Sequence, residues 1–115
     1  SDAVPSAGKS PIEVVAGEGV RYVVPQVISR DAEGPVTFSF RVSDVIEGVR
    51  FEVRSCDDAG AGEVLARARD MVAVPAEMRR MKVDAESLAE CSRIVVSAVS
   101  GLAGRQVPAA EGGAR

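Results

Sequence analysis

The sequence contains no histidine. Histidine is the side chain that most often acts as a general base near neutral pH, and it is the commonest protein ligand for transition metals. Its absence excludes a Ser-His-Asp triad and most zinc and iron sites. A Gly-x-Gly-x-x-Gly phosphate loop is absent too, because no third glycine follows Gly60 and Gly62 at the required spacing. The sequence therefore offers no recognisable set of catalytic, cofactor-binding or metal-binding residues.

Cysteine and aromatic residues are scarce. Cys56 and Cys91 are the only thiols and form no Cys-x-x-Cys pair, so we expect two reduced, unrelated thiols rather than a disulfide or a zinc site. Tryptophan is absent, and the aromatic residues are Tyr22, Phe38, Phe40 and Phe51. All four fall on strand positions that we expect to be buried, which argues against stacking on sugars or nucleic-acid bases.

Charge of one sign and long apolar runs are also lacking. The chain has 14 basic and 17 acidic residues, a net charge of −3, which gives no electrostatic reason to expect nucleic acid or an anionic membrane as a partner. No apolar run approaches the roughly 20 residues that span a bilayer, and the start of the chain has no basic-then-apolar signal pattern. We predict a cytoplasmic location and no membrane insertion.

The clearest positive feature is an alternation of apolar and polar residues over 36–42 and again over 49–55. Side chains leave opposite faces of a strand in turn, so a period of two predicts half-buried strands. Val36, Phe38 and Phe40 would then line a core, while Thr37 and Ser39 would meet water. The polar link at 43–48 predicts that the two runs pair as a β-hairpin.

Further runs predict a fold of about seven short strands. The other predicted strands cover residues 12–16, 20–24, 63–74, 78–83 and 94–99. Pro25 should end the second strand, and 64–71 taken alone is also compatible with a short helix. A helical turn is expected at 84–91, capped by Asp84 and held to the core by Leu88. This pattern is typical of an antiparallel β-sandwich of immunoglobulin-like or fibronectin-like type.

The folded domain is expected to cover residues 11–100. Residues 1–10 have the composition of a linker or a cloning remnant, and the start at Ser1 without methionine suggests a piece of a larger protein. The Gly- and Ala-rich residues 101–115 predict a disordered tail. Asp57, Asp58 and Glu63 match no EF-hand spacing, so we interpret them as part of a solvated loop rather than a calcium site.

Basic residues alternate with apolar ones along several predicted strands. They are Arg41, Arg50, Arg54, Arg67, Arg69, Arg79, Arg80 and Lys82. The favoured interpretation is cross-strand pairing with Glu52, Glu63 and Glu77. The alternative is a single basic face, which would dock an acidic domain rather than DNA, since no aromatic residues are interleaved for base stacking.

Three segments together resemble a known domain. They are residues 20–26 (VRYVVPQ), 36–42 (VTFSFRV) and 74–78 (VPAEM). In this order and spacing they resemble the C-terminal β-sandwich appended to FAD- and NAD(P)-dependent oxidoreductases of the pyridine nucleotide-disulfide oxidoreductase type in anaerobic bacteria. The resemblance implies that FAD and NAD(P) bind to domains upstream of Ser1, and it transfers no catalytic residue to this chain. Ala76 departs from the family pattern, in which a glycine is expected.

The resulting hypothesis is a non-catalytic accessory domain that packs on the catalytic domains of its parent chain or on a partner subunit, including another copy of itself. The predicted inter-domain contacts are Arg21, Glu77 and Val95, and an exposed apolar patch is expected at 94–99 and at Val23. The alternative is a free-standing immunoglobulin-like interaction or adhesion module of a surface protein. An independent small enzyme is least favoured, because the sequence shows no base, metal set or phosphate loop.

Overall fold

The computed structural model describes residues 10–56 and 62–101, in which strands form almost all of the regular structure. The strands are β1 (Ile12–Ala16), β2 (Val20–Val24), β3 (Val27–Ile28), β4 (Pro35–Val42), β5 (Ile46–Cys56), β6 (Val64–Ala73), β7 (Arg79–Asp84) and β8 (Arg93–Ser100). A 3₁₀ helix, Ala85–Leu88, lies between the last two strands. Seven of these strands lie where a predicted strand lies, and one of the seven, β5, extends its prediction at both ends.

The eight strands form two sheets that enclose one core. The larger sheet has the order β3-β1-β8-β5-β6, and the smaller sheet has the order β2-β4-β7. Strands β1 and β8 pair in parallel, and the other pairs are antiparallel. The prediction of an all-β, two-sheet sandwich is therefore confirmed, with a mixed larger sheet instead of a purely antiparallel one.

The alternating patterns of β4 and β5 supply the centre of the core. Phe38, Phe40 and Val42 point inward from β4 and are fully buried. Phe51 and Val53 point inward from β5, in the other sheet, and belong to the same hydrophobic cluster. The rings of Phe40 and Phe51 meet edge to face with their centroids 5.4 Å apart, an arrangement that aromatic quadrupoles favour.

The predicted hairpin of these two strands is wrong. The strand β4 belongs to the smaller sheet and β5 to the larger one, so the link at 43–45 crosses from one sheet to the other. Gly48, with φ of +59°, lies near the start of β5, where the regular alternation begins. The alternation of apolar and polar residues correctly predicts the buried face of each strand. The same alternation arises whether two strands pair side by side in one sheet or face each other across a core, so it does not predict which strands pair.

The remaining local predictions are mostly confirmed. Residues 64–73 form a strand and not a helix, and Pro25 directly follows the end of β2. Leu88 of the 3₁₀ helix is buried in the core as expected, whereas Asp84 precedes this helix without a side-chain capping hydrogen bond. The two-residue strand β3 lies between the second and third predicted strands, where the sequence predicts no strand.

Three sequence predictions concern residues outside the described ranges. They are the linker at 1–9, the solvated loop with Asp57 and Asp58, and the tail at 102–115. Glu63, the third acidic residue of that loop, lies within the described ranges and forms no ion pair with any other residue in 10–56 or 62–101.

Substitution of Phe40 tests the central contact between the sheets. Phe40→Ala should lower the free energy of unfolding by about 3–5 kcal/mol, because it leaves a cavity beside Phe51 that the two sheets cannot fill. Urea unfolding followed by far-UV circular dichroism measures the loss. Met71→Ala is the control, since Met71 is 84% exposed and its truncation should change stability by no more than about 0.5 kcal/mol. Equal effects of the two substitutions would contradict the placement of Phe40 in the core.

Candidate functional site

The outer face of the larger sheet, which points away from the core, carries a cluster of arginines. In β5 the inward positions are Val49, Phe51 and Val53, so the residues between and beside them point outward. The register with β6 places Arg67 opposite Glu52 and Arg69 opposite Arg50. We call this set the arginine face: Arg50, Glu52, Arg54, Arg67 and Arg69.

Glu52 lies at the centre of the arginine face and pairs with three of its arginines. Its Oε1 accepts a hydrogen bond from Nη2 of Arg54 at 2.9 Å. Its Oε2 lies 3.4 Å from Nε of Arg67 and 3.5 Å from Nε of Arg50. The long arginine side chains leave Glu52 only 8% exposed although it sits on an outer face.

The arginines hold the pKa of the Glu52 carboxyl below its ordinary value of 4.5. The largest cause is the hydrogen bond from Arg54, and the positive charges of Arg54, Arg50 and Arg67 act in the same direction. Burial opposes them, because it disfavours the charged carboxylate. The net effect is an ionised Glu52 at neutral pH, held by charge-assisted contacts.

One carboxylate does not balance four guanidinium groups. Arg69 makes no ion pair with any described residue and lies directly opposite Arg50, a like-charge pair that destabilises a sheet. The arginine face thus carries a surplus of positive charge on a chain whose net charge is −3. Cross-strand pairing, the favoured sequence interpretation, accounts for Glu52 but leaves this surplus unexplained.

A strip of valines borders the arginine face. Val95 and Val99 of β8 lie opposite Arg54 and Arg50, and Val15 of β1 pairs with Val95. All three valines are half-buried and point outward, between inward residues of the core. The side chain of Val95 packs directly against the backbone of Gly17. A Cβ atom placed on Gly17 would lie only 2.6 Å from Cγ1 of Val95. Half-buried valines thus lie beside a cluster of arginines, and arginine is one of the residues enriched in protein interfaces.

The other basic strand residues considered from the sequence do not join this face. Arg93 of β8 points outward from the same sheet, but it forms an ion pair with Glu13 at 3.0 Å. Arg80 and Lys82 of β7 and Arg41 of β4 point outward from the smaller sheet, on the opposite side of the sandwich. Arg79 alternates with them and so points inward, opposite Phe40. The single basic face considered from the sequence is therefore divided among three places.

Arg79 closes one open edge of the sandwich. Its guanidinium donates to Oδ2 of Asp70 at 2.6 Å and to the carbonyl oxygen of Val72 at 2.7 Å, both on β6. It also lies 3.2 Å from Oε1 of Glu77 and 5.3 Å from the centre of the Phe51 ring. Its hydrogen bond lowers the pKa of Asp70. These contacts join β6 to β7 at the edge of the core, which is a structural role.

The three predicted inter-domain contacts lie on different elements. Arg21 is an exposed residue of β2, Glu77 belongs to the turn between β6 and β7, and Val95 lies in the valine strip. No hydrogen bond or ion pair between described residues joins any two of them. The expectation that Val23 contributes to an exposed patch is wrong: it is 2% exposed, because a bulge in β2 turns it into the core.

Cys56 and Cys91, which the sequence does not relate to each other, line one cleft. The cleft has a volume of about 520 Å³ and is also lined by Glu63, Glu90 and Ser87. No disulfide joins the two cysteines. Burial, followed by the negative charge of Glu63, raises the pKa of the Cys91 thiol, which makes it a weak nucleophile at neutral pH. No local pattern predicts this proximity, because it depends on the pairing of β5 with β8.

Residues 10–56 and 62–101 contain no group of three or more Cys, Asp or Glu side chains arranged to hold a metal ion. In the same ranges, no helix has the length and apolar character needed to cross a membrane.

Comparison with known proteins adds no assignment. No family model matches the chain, no curated protein matches its sequence, and no solved structure matches its fold.

Replacement of the central carboxylate tests the electrostatics of the arginine face. Glu52→Gln should lower the free energy of unfolding by about 1–3 kcal/mol at pH 7, because three arginines lose their buried partner. Since the folded pKa of Glu52 is lowered, its contribution is complete above pH 4.5 and is lost as pH falls through the folded pKa. Urea unfolding of both proteins between pH 3 and pH 7 should show the difference shrinking in acid.

The matched control is Glu13→Gln, which removes one partner of the exposed Glu13–Arg93 ion pair at 3.0 Å. Exposed pairs contribute about 0–1 kcal/mol, so this variant should stay close to the parent protein. A stability difference for Glu52→Gln that persists undiminished at pH 3 would contradict the assigned role of the carboxylate.

Aspartate at Val95 tests whether the valine strip is outer surface. Val95→Asp should leave the domain folded, with a loss of about 1 kcal/mol, because the half-buried side chain lies on the outer face opposite Arg54. Its neighbour Val96 is fully buried, so Val96→Asp is the unfolding control. Circular dichroism and urea unfolding distinguish the two variants. Unfolding of Val95→Asp would place Val95 in the core.

Proposed function

We propose that this chain is a non-catalytic accessory domain that docks onto an acidic protein surface through the arginine face and the adjoining valine strip. The observation that carries the proposal is a cluster of four arginines with one carboxylate. Arg50, Arg54 and Arg67 pair with Glu52, while Arg69 lies opposite Arg50. Charged groups of one sign beside half-buried apolar side chains favour a partner of opposite charge and suppress other partners.

The rest of the molecule supports this face over the others. The outer face of the smaller sheet presents Arg80 and Lys82, but it has Asp84 on the same strand and no valine strip on its central strand β4. Arg79 is held by Asp70, Val72 and Glu77 and is not available to a partner. The smaller sheet also has exposed apolar residues, Tyr22 and Val24 of β2, so apolar surface alone does not distinguish the two faces. The arginine face differs in that four guanidinium groups lie on the adjacent strands β5 and β6 with one carboxylate among them.

The resemblance supplies the identity proposed for the partner. In this proposal the acidic surface belongs to the catalytic domains of an FAD- and NAD(P)-dependent parent or to a partner subunit, and Val95 lies in the contact. That parent remains a prediction from the three resembling segments. A free-standing interaction module is the alternative and would use the same face. An immunoglobulin-like strand order forms no part of either proposal, since β8 pairs with β1 and β5 while β7 lies in the other sheet.

Titration with a hexaglutamate peptide, followed by nuclear magnetic resonance of the backbone amides, tests the docking face. Shifts should concentrate on β5, β6 and β8, although the protein and the peptide both carry net negative charge. Arg67→Gln/Arg69→Gln should weaken binding about tenfold or more, and binding should weaken further as salt is raised.

The matched control is Arg80→Gln/Lys82→Gln, which removes the same number of positive charges from exposed positions on the opposite side of the sandwich. This variant should bind the peptide nearly as well as the parent protein. An equal loss in both variants, or shifts spread evenly over the two sheets, would overturn the assignment of docking to the arginine face.

A further inference from the structure

The strand β6 forms an edge of the larger sheet and of the arginine face. It pairs with β5 on one side, and no described strand pairs with its other side. All residues of 67–72 are exposed. An edge strand of this kind presents a row of backbone N–H and C=O groups to which another strand can add.

The side chains of β6 define what could add there. Arg67 and Arg69 point to the outer face, while Ala66 and Ala68 lie on the opposite face, across from Val53 and Phe51. The small alanines leave room for β-branched side chains on an added strand. Two backbone groups near the end of β6 are already taken, since the N–H of Met71 donates to Oδ1 of Asp70 at 2.7 Å and the carbonyl of Val72 accepts from Arg79. The accessible edge is therefore 64–70.

A second copy of the chain is a poor occupant of this edge. Antiparallel pairing of two β6 strands about a two-fold axis keeps outer residues on the outer face. Full overlap of the edge 64–70 would place Arg67 against Arg67 in the two copies, and the next register would place Arg67 against Arg69. Like charges directly opposite each other destabilise a sheet, so the arginines oppose self-pairing.

We infer that β6 accepts an added strand from a partner segment in which acidic residues alternate with β-branched ones. This inference rests on the proposed function and specifies how the acidic partner is held. The contact of Glu52 with Arg67, at 3.4 Å across the β5–β6 ladder, is the arrangement that the added strand would repeat on the free side. Its acidic side chains face Arg67 and Arg69, and its backbone pairs with 64–70.

The probe is a short synthetic peptide in which Glu and Val alternate, compared with two derivatives that are N-methylated either at every Glu or at every Val. Only one set of amides of an added strand faces β6, so one derivative should bind like the unmodified peptide and the other should lose about tenfold or more. Affinity is measured by fluorescence anisotropy. Hydrogen exchange should show new protection of amides within 64–70 on binding of the unmodified peptide.

The outcomes separate this inference from the proposed function. Equal binding of both derivatives, without protection of β6, would overturn strand addition and leave docking by side chains intact. Binding of hexaglutamate but not of the alternating peptide would have the same meaning, whereas failure of both acidic peptides would overturn docking itself. A concentration-dependent dimer that protects 64–70 in sedimentation and exchange experiments would show that a second copy occupies the edge, and would also overturn the inference.

Discussion

The contact between Phe40 and Phe51 across the sandwich is the constraint on which the candidate interface depends. Because Phe51 points into the core, the alternation of side chains along β5 places its neighbours Arg50 and Glu52 on the outer face. The pairing of β5 with β6 then brings Arg67 and Arg69 to the same side. The arginine face is thus a consequence of how the core is packed, and a shift of β5 by one residue would bury its arginines.

The unequal size of the two sheets explains the chemistry at the edges of the sandwich. Three strands cannot cover five, so the inward side of β6 lies partly outside the smaller sheet, and Asp70 occupies an inward position there without being buried in apolar surroundings. Arg79, inward on β7, reaches this position and covers the ring of Phe51. The Arg79–Asp70 ion pair and the contact of Arg79 with the Phe51 ring therefore cover this edge of the core.

The sequence predicts the strands and their buried faces well and their partners poorly. The inward set Phe38, Phe40 and Val42 follows from alternation alone, because burial of one face imposes the period of two. The pairing of β4 with β7, and of β5 with β8, joins residues that are distant in the chain, so no local signal specifies it. The false hairpin and the unforeseen proximity of Cys56 to Cys91 have this common cause.

The candidate site, too, can be predicted from the sequence only where its residues are close together in the chain. That Arg50 and Arg54 flank Glu52 on one face is visible in the sequence, since each of them lies two residues from Glu52. That Arg67 and Arg69 join them, while Arg79, Arg80 and Lys82 do not, depends on strand order and register. Val23 was misassigned because a bulge in β2 shifts its alternation, and a bulge has no reliable signature in a run of valines.

The surplus of positive charge on the arginine face has two consequences that follow from the same physics. Arginines along an edge strand protect it against pairing with an identical copy, because like charges then face each other. The same arginines lower the free energy of pairing with a strand of opposite charge, so protection against self-association and selection of an acidic partner are one property. Glu52 limits the electrostatic repulsion within the isolated domain, since it neutralises part of the arginine cluster. Arg69, which lies with Arg67 on the edge strand β6, has no carboxylate partner among the described residues.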